Sequence, residues 1–272
     1  MARLSLSAAL VAAALSVSCN TSPLGDIGGG GTMKGAEDPR PRYEDYARGD
    51  RFPRLVIEVD SVAGVEPREE VEQEIAGTLS GLVEKPGGVS VQRDGEIASR
   101  GADHGWTFEE LQALAEEQFA LEVPADTIKM HVMFVDGRWH EDSGDSRVLG
   151  IAWAHTHAVI FKQTIEDACR IGPGGPLSER LCANAEHGVW LHELGHVMGL
   201  VNVGAPMVTG HEDPDHRGHS HNRDCVMFWA YETGGLLDLL RDRLIEGDDS
   251  RMGFDAACRA DLEALRSGGA TK

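Results

Sequence analysis

Val189-Trp190-Leu191-His192-Glu193-Leu194-Gly195-His196-Val197-Met198-Gly199-Leu200 decides how the chain is read. In a helix, His192 and His196 lie one turn apart on the same face, the separation at which two imidazole nitrogens can grip one zinc ion. Glu193 then stands beside the metal without binding it, where a carboxylate can take a proton from a metal-held water. Gly199, three residues after His196, is where such a helix would end and the chain turn sharply. H-E-x-x-H is short, and a solvated helix face can carry it by chance, so the surroundings have to decide.

A catalytic zinc takes three protein ligands and leaves a position open for water. The segment resembles the metzincins, zinc endopeptidases whose pattern runs H-E-x-x-H-x-x-G-x-x-H. This chain departs from the pattern at its last position, Asn202. An amide oxygen is a poor zinc ligand beside imidazole, so a later histidine is the better choice. His211, His216, His219 and His221 all follow. In the matrixin branch, the third His is followed by Ser and then, eight residues after the His, by a Met in a tight turn beneath the metal. His219-Ser220 and Met227 have that spacing. The resemblance therefore implies an insertion over about residues 201–217, after which Gly218-His219-Ser220 resumes the pattern. His219 is the expected third ligand, ahead of His211 and His216, with Asn202 last. The surplus histidines suit a solvated polar loop, and Met227 also suits plain core packing.

The N-terminus reads as an export signal over residues 1–18: Arg3 precedes an apolar run, Leu4 to Val17, too short to span a bilayer. Ser18-Cys19 just after that run resembles a bacterial lipobox, although Ser16 replaces the usual Leu. On this resemblance Cys19 carries lipid, and the protein is a membrane-anchored lipoprotein outside the cytoplasm, with Asn20 favouring the outer membrane. The alternative is an ordinary cleaved signal peptide with a spare Cys. Residues 19–52 contain Gly28 to Gly31 and a run of charged and Pro residues, a composition expected of a flexible tether. Residues 53–272 suit a single domain with a sizeable core.

A net charge of −20 argues against nucleic acid and against anionic headgroups as partners, leaving a protein or peptide substrate and the lipid anchor. A monomer is expected. Cys169, Cys182, Cys225 and Cys258 are even in number, as two disulfides require. Cys169 and Cys182 flank the loop at Ile171 to Leu177, so a local bridge is plausible, and Cys225 would then pair with Cys258. Buried free thiols are the alternative.

Strands are expected at Arg54–Asp60, Gly88–Ile97 and Ile128–Phe134, with one or two more in Leu149–Phe161. Val71, Ile75, Leu79 and Leu82 mark a helix, and Thr107 with Glu110 is a capping box that starts another. The zinc helix is expected at about 181–200, followed by helices around Leu236–Leu244 and Phe254–Leu265. This order resembles the metzincin layout, an α+β zincin. The resemblance implies a twisted mixed sheet over two helices, an active-site helix, a Met-turn and C-terminal helices, with the cleft above an irregular lower part. The lipoprotein signal and His211-Glu212-Asp213-Pro214-Asp215-His216 also look like a group of bacterial lipoprotein metalloproteases.

Two weaker features are noted. His155 and His157, two apart on an expected strand, would point the same way and could join a structural zinc site with His131 or His140, although strand histidines near a surface are commoner. Asp136, Glu141, Asp142 and Asp145 are hard oxygen donors of the kind Ca2+ accepts, at a spacing that matches no defined calcium loop, so a solvated acidic turn is favoured. The leading expectation is a zinc endopeptidase in which zinc polarises water and carbonyl while Glu193 moves the proton. Tyr231 is a weaker candidate to stabilise the oxyanion. Two alternatives stand beside it: a zinc-containing surface binding module of little activity, or a gluzincin-like peptidase in which Glu232 completes the site. The substrate is not legible, and no cysteine-switch propeptide is visible.

Overall fold

The computed structural model describes residues 41–144, 146–170 and 175–268. The expected export signal, Cys19 and the tether up to residue 40 lie outside the described residues. So do Asp145 and most of the loop between Cys169 and Cys182.

The sheet is built around β1 (Arg54–Val62), buried along almost its whole length. On one side it pairs in parallel with β2 (Val89–Ile97), and on the other with β4 (Thr127–Val135). β4 in turn pairs in parallel with β7 (His157–Phe161), and β6 (Gly150–Trp153) closes the edge antiparallel to β7. The order is β2-β1-β4-β7-β6, a mixed and mostly parallel sheet. A short second sheet pairs β3 (Gly105–Trp106) with β5 (Arg138–Trp139).

Side chains alternate across β1 and β4, and each face has its own cover. Leu55, Ile57, Val59, Met130, Val132 and Phe134 face the main core, where α2 (Glu69–Leu82) contributes Val71, Ile75 and Leu79. Met133 and Val135 face a smaller core closed by Leu111 and Ala115 of α3 (Phe108–Gln118). The expected capping box on α3 is present: Thr107 accepts from the Glu110 amide, and the Glu110 carboxylate accepts from the Thr107 amide.

After β7, α4 (Lys162–Cys169) leads through the Cys169–Cys182 disulfide into α5 (Pro176–Val197), the helix that carries H-E-x-x-H. From Leu181 to Gly195 every residue of α5 is buried. A helix buried all round can carry polar groups only if each finds a partner. Glu186, fully buried, finds two: Arg68 at the start of α2 and Lys162 of α4. Its other oxygen accepts from the Arg68 amide at 2.7 Å, and Glu166 joins the cluster through the same two cations. One carboxylate thus joins three helices. Beyond α5 come a long irregular segment, a 3-10 turn at Trp229–Glu232, α6 (Gly235–Ile245) and α7 (Ala256–Ser267).

Three expectations are corrected. The tether does not run to residue 52: from Pro41 the chain belongs to the folded unit, with a short helix, α1 (Tyr43–Ala47). Its charged composition hid two aromatic anchors. Tyr46 is fully buried and donates to the His155 carbonyl at 2.6 Å, and Tyr43 lies over Gly199 and Gly204, where any Cβ would strike its ring. Lys85 holds the segment down by donating to the carbonyls of Asp45, Arg48 and Phe52. Secondly, Cys225 and Cys258 do meet, but as buried thiols with their sulfurs 3.5 Å apart, well beyond the roughly 2.05 Å of a disulfide.

Thirdly, His155 and His157 do not share a strand face, because a turn with positive φ at Ala154 and His155 separates β6 from β7. His155 meets the Tyr43 hydroxyl, whereas His157 meets His131 at 3.1 Å, and His131 bonds the buried Asp60. His140 stands apart beside Glu141.

Two outcomes test this packing. Deleting residues 1–52 should lower the thermal midpoint markedly, whereas deleting 1–40 should not, since only the longer deletion removes Tyr43 and Tyr46; equal midpoints would refute the corrected boundary. Glu186→Ala should cost about 1–3 kcal/mol in denaturant unfolding, because Arg68 and Lys162 lose a fully buried carboxylate partner and keep Glu166.

Candidate metal centre

The H-E-x-x-H segment is helical, and its two histidines meet as the spacing requires: the Nε2 atoms of His192 and His196 are 3.0 Å apart. His192 is fully buried, and its Nδ1 donates to the Val226 carbonyl at 2.7 Å. That bond fixes the tautomer and leaves the Nε2 lone pair free, the usual way a ligating imidazole is oriented. The helix ends where expected: Gly199 has φ +78 and its amide donates to the His196 carbonyl.

The chain then makes its insertion and returns. The insertion is bonded mainly to itself. Asn202 donates to Glu212, Glu212 also accepts from the Gly218 amide, and Asp213 accepts from the Asp215 amide and meets His216. His216 stacks on Trp229 at 4.5 Å, and His211 is buried beside Cys258 and Asp261. Neither His211 nor His216 joins the pair on α5, and the Asn202 amide is turned to Glu212. His219 does, its ring 5.3 Å from that of His192 and 5.0 Å from that of His196. It is held by a short bridge in which the Ser220 amide donates to the Met227 carbonyl at 2.8 Å. Met227 is buried directly beneath the helix: a Cβ on Gly195 would fall 2.3 Å from its sulfur, so the glycine sets how closely the turn approaches.

A fourth donor joins them. One nitrogen from each of His192, His196 and His219 and one oxygen of Glu232 lie within 4.8 Å of one another. Ligand atoms about 2.1 Å from a tetrahedral zinc stand roughly 3.4 Å apart, close to the 3.0 Å between His192 and His196 and the 3.3 Å between His219 and Glu232. Three neutral imidazoles and a carboxylate are a donor set that suits zinc.

Without a cation, the electrostatics are strained. Burial pushes His192 and, more strongly, His196 below the usual histidine range. Burial also depresses His219, but the Glu232 carboxylate outweighs it and holds His219 above its ordinary value. Burial pushes Glu193 well up, and the charge of Glu232 pushes it further. Both oxygens of Glu193 are buried with no hydrogen-bond partner, a costly arrangement that a nearby cation and water would relieve. Gly150 makes room for that carboxylate, since a Cβ there would sit 2.5 Å from Oε1.

Sequence reading missed Gly150, whose role depends on a residue far away in the chain, and it set Glu232 against His219 as alternatives when both converge. Tyr231 stacks at 6.2 Å on His192 against Gly188, and its hydroxyl is buried without a partner. Around Asp136–Asp142, no group of three metal-ligating side chains forms among the described residues. Asp136 instead accepts from Ser99 and the Gly101 amide, and Asp142 from the Val148 amide.

No family model matches the chain, and no curated protein matches it. Among solved structures, it is similar to a zinc-dependent peptidase from Methanocorpusculum labreanum at 19% identity and a TM-score of 0.48, over 76% of this chain and 99% of that one. A likeness that distant assigns no chemistry here; the residues of this chain have to carry it.

The convergence predicts the outcome of metal analysis. His219→Ala should lower zinc affinity by orders of magnitude, since it removes a ligand from a chelate, while Asn202→Ala, His211→Ala and His216→Ala should retain the metal. Zinc kept by His219→Ala and lost by His211→Ala would overturn the arrangement.

Proposed function

We propose that this chain is a zinc endopeptidase of metzincin type, with His192, His196 and His219 as zinc ligands and Glu193 as general base. The observation that carries the reading is the meeting of three imidazoles from α5 and the distant His219 loop beside a buried carboxylate that has no other partner. Zinc at this centre supplies Lewis-acid polarisation of a water and of the scissile carbonyl.

The remaining steps belong to the protein. Glu193, placed one residue after the first ligand and near enough to Glu232 to feel its charge, takes the proton of the attacking water and delivers it to the leaving amine. Burial, and then the charge of Glu232, hold the Glu193 carboxyl above its ordinary range, and a zinc ion held by the three histidines would favour its ionised form, as a general base requires. The Val226 carbonyl keeps His192 in the tautomer that points Nε2 inward, and Met227 floors the site against Gly195. Tyr231 packs the wall beside His192.

We further propose protein or peptide as substrate and, from the apolar run Leu4 to Val17 and the lipobox-like Ser18-Cys19 alone, a location outside the cytoplasm with lipid on Cys19. No helix among the described residues is long and apolar enough to cross a membrane.

Casein or peptide hydrolysis by the zinc-loaded protein should be abolished by a chelator and restored by zinc. Glu193→Gln should lower kcat by several orders of magnitude while zinc content stays at one per chain. Hydrolysis that survives both treatments would refute the assignment. Full zinc occupancy without cleavage of a diverse peptide library would favour a surface binding module instead.

A further inference from the structure

We propose that Glu232 is a fourth protein ligand that closes the metal centre and must swing away before the site accepts water or a substrate carbonyl. The inference rests on the zinc reading above and concerns its regulation.

A catalytic zinc site keeps one coordination position open, whereas a structural site fills all four with protein. Here the fourth vertex is filled. The Glu232 oxygen stands 3.3 Å from Nε2 of His219 and 3.9 Å from Nε2 of His192, bracketing the separation of about 3.4 Å between ligands on a tetrahedral zinc. The place that a catalytic water would take is therefore held by a carboxylate of the same chain. Glu193 makes no such approach to the imidazoles, so the two acidic groups are not interchangeable: one faces the ligands and the other stands beside them.

The backbone of Glu232 is fastened, while its side chain lies partly open to solvent. Its carbonyl accepts from the Leu149 amide at 2.9 Å, and the Gly234 amide donates to the Arg147 carbonyl at 3.1 Å, so the 3-10 turn is fastened to the chain just before β6. The Glu232 side chain is 35% exposed, in contrast to the fully buried side chain of His192. Rotation of that side chain into solvent opens the fourth position without moving the turn. Leu149 also immediately precedes Gly150, which shapes the space around Glu193, so the closing residue and the general base are positioned from one short segment.

The test uses the full chain loaded with cobalt(II), whose visible spectrum reports the ligand set, and acetohydroxamate as a probe that needs an open position. The closed centre predicts a wild-type spectrum that changes little with hydroxamate. Glu232→Ala and the near-isosteric Glu232→Gln should each keep the metal, show an altered spectrum, and bind hydroxamate about tenfold more tightly or better, because a site open only a tenth of the time weakens apparent affinity by that factor. Unchanged spectra and equal hydroxamate affinity in wild type and both variants would overturn the proposal and leave the peptidase reading intact. Loss of metal from both Glu232 variants but not from His219→Ala would also overturn it, making Glu232 the obligatory third ligand. A wild-type chain that binds neither cobalt nor zinc would overturn both.

Discussion

The structure depends on one constraint: the helix that carries His192 and His196 runs through the interior, where a polar side chain left without a partner is costly. Leu181 to Gly195 are buried throughout, yet Glu186, His187, His192 and Glu193 lie among them. Each isolated ion buried in a low-dielectric medium would cost several kcal/mol, so a partner must be brought to it. Arg68 and Lys162 are brought to Glu186, and in coming they tie α2 and α4 to the helix. The Val226 carbonyl is brought to His192, and in coming it places the Met227 turn. Both oxygens of Glu193 receive no hydrogen bond from the protein, and His187 Nδ1 and Trp190 Nε1 on the same helix also lack one. Glu193 is the carboxylate among these groups and adjoins His192, so it marks where chemistry is expected.

The irregular half of the molecule follows from the same requirement. Residues between Gly199 and Met227 form almost no regular structure, but their bonds are specific: Glu212 closes the insertion on Asn202 and Gly218, and Ser220 bonds Met227. An insertion that satisfies itself internally can vary in length without disturbing what precedes and follows it, because loop closure grows only slowly more costly with length. That is how His219, well beyond His196 in the chain, is brought beside His192 and His196.

Much of this was legible in the sequence because the signals were local. Val71, Ile75 and Leu79 face the main core as their spacing implied, and Thr107 with Glu110 caps α3. The alternation in β4 survives as two differently covered faces. The convergence on His219 was legible only through the spacing to Met227, a pattern borrowed from a resemblance. What escaped was non-local. Tyr43 and Tyr46 sit in a run of charge and proline that reads as linker, and only Gly199, Gly204 and Lys85, distant in sequence, make them anchors. His155 and His157 looked like strand neighbours because a turn at Ala154 and His155, held at positive φ by non-glycine residues, leaves no compositional mark. Cys225 and Cys258 show the limit from the other side: pairing in space was foreseeable, but the bond between the sulfurs was not formed.

The order in which the donors occur along the chain has a consequence for biogenesis. His192 and His196 precede His219 by a long insertion, Glu232 follows later still, and α7 covers the Cys225 turn from the far end of the chain. Domains emerge during synthesis from the N-terminus onward, and two of the four pairings in this sheet, β1 with β4 and β4 with β7, join strands that are not sequence neighbours. A half-emerged chain therefore holds at most two imidazoles on a helix whose burial is incomplete. The four donors of the candidate centre can meet only after the chain has been made past Glu232, so any capture of metal by the full set would follow synthesis of the insertion and of the 3-10 turn.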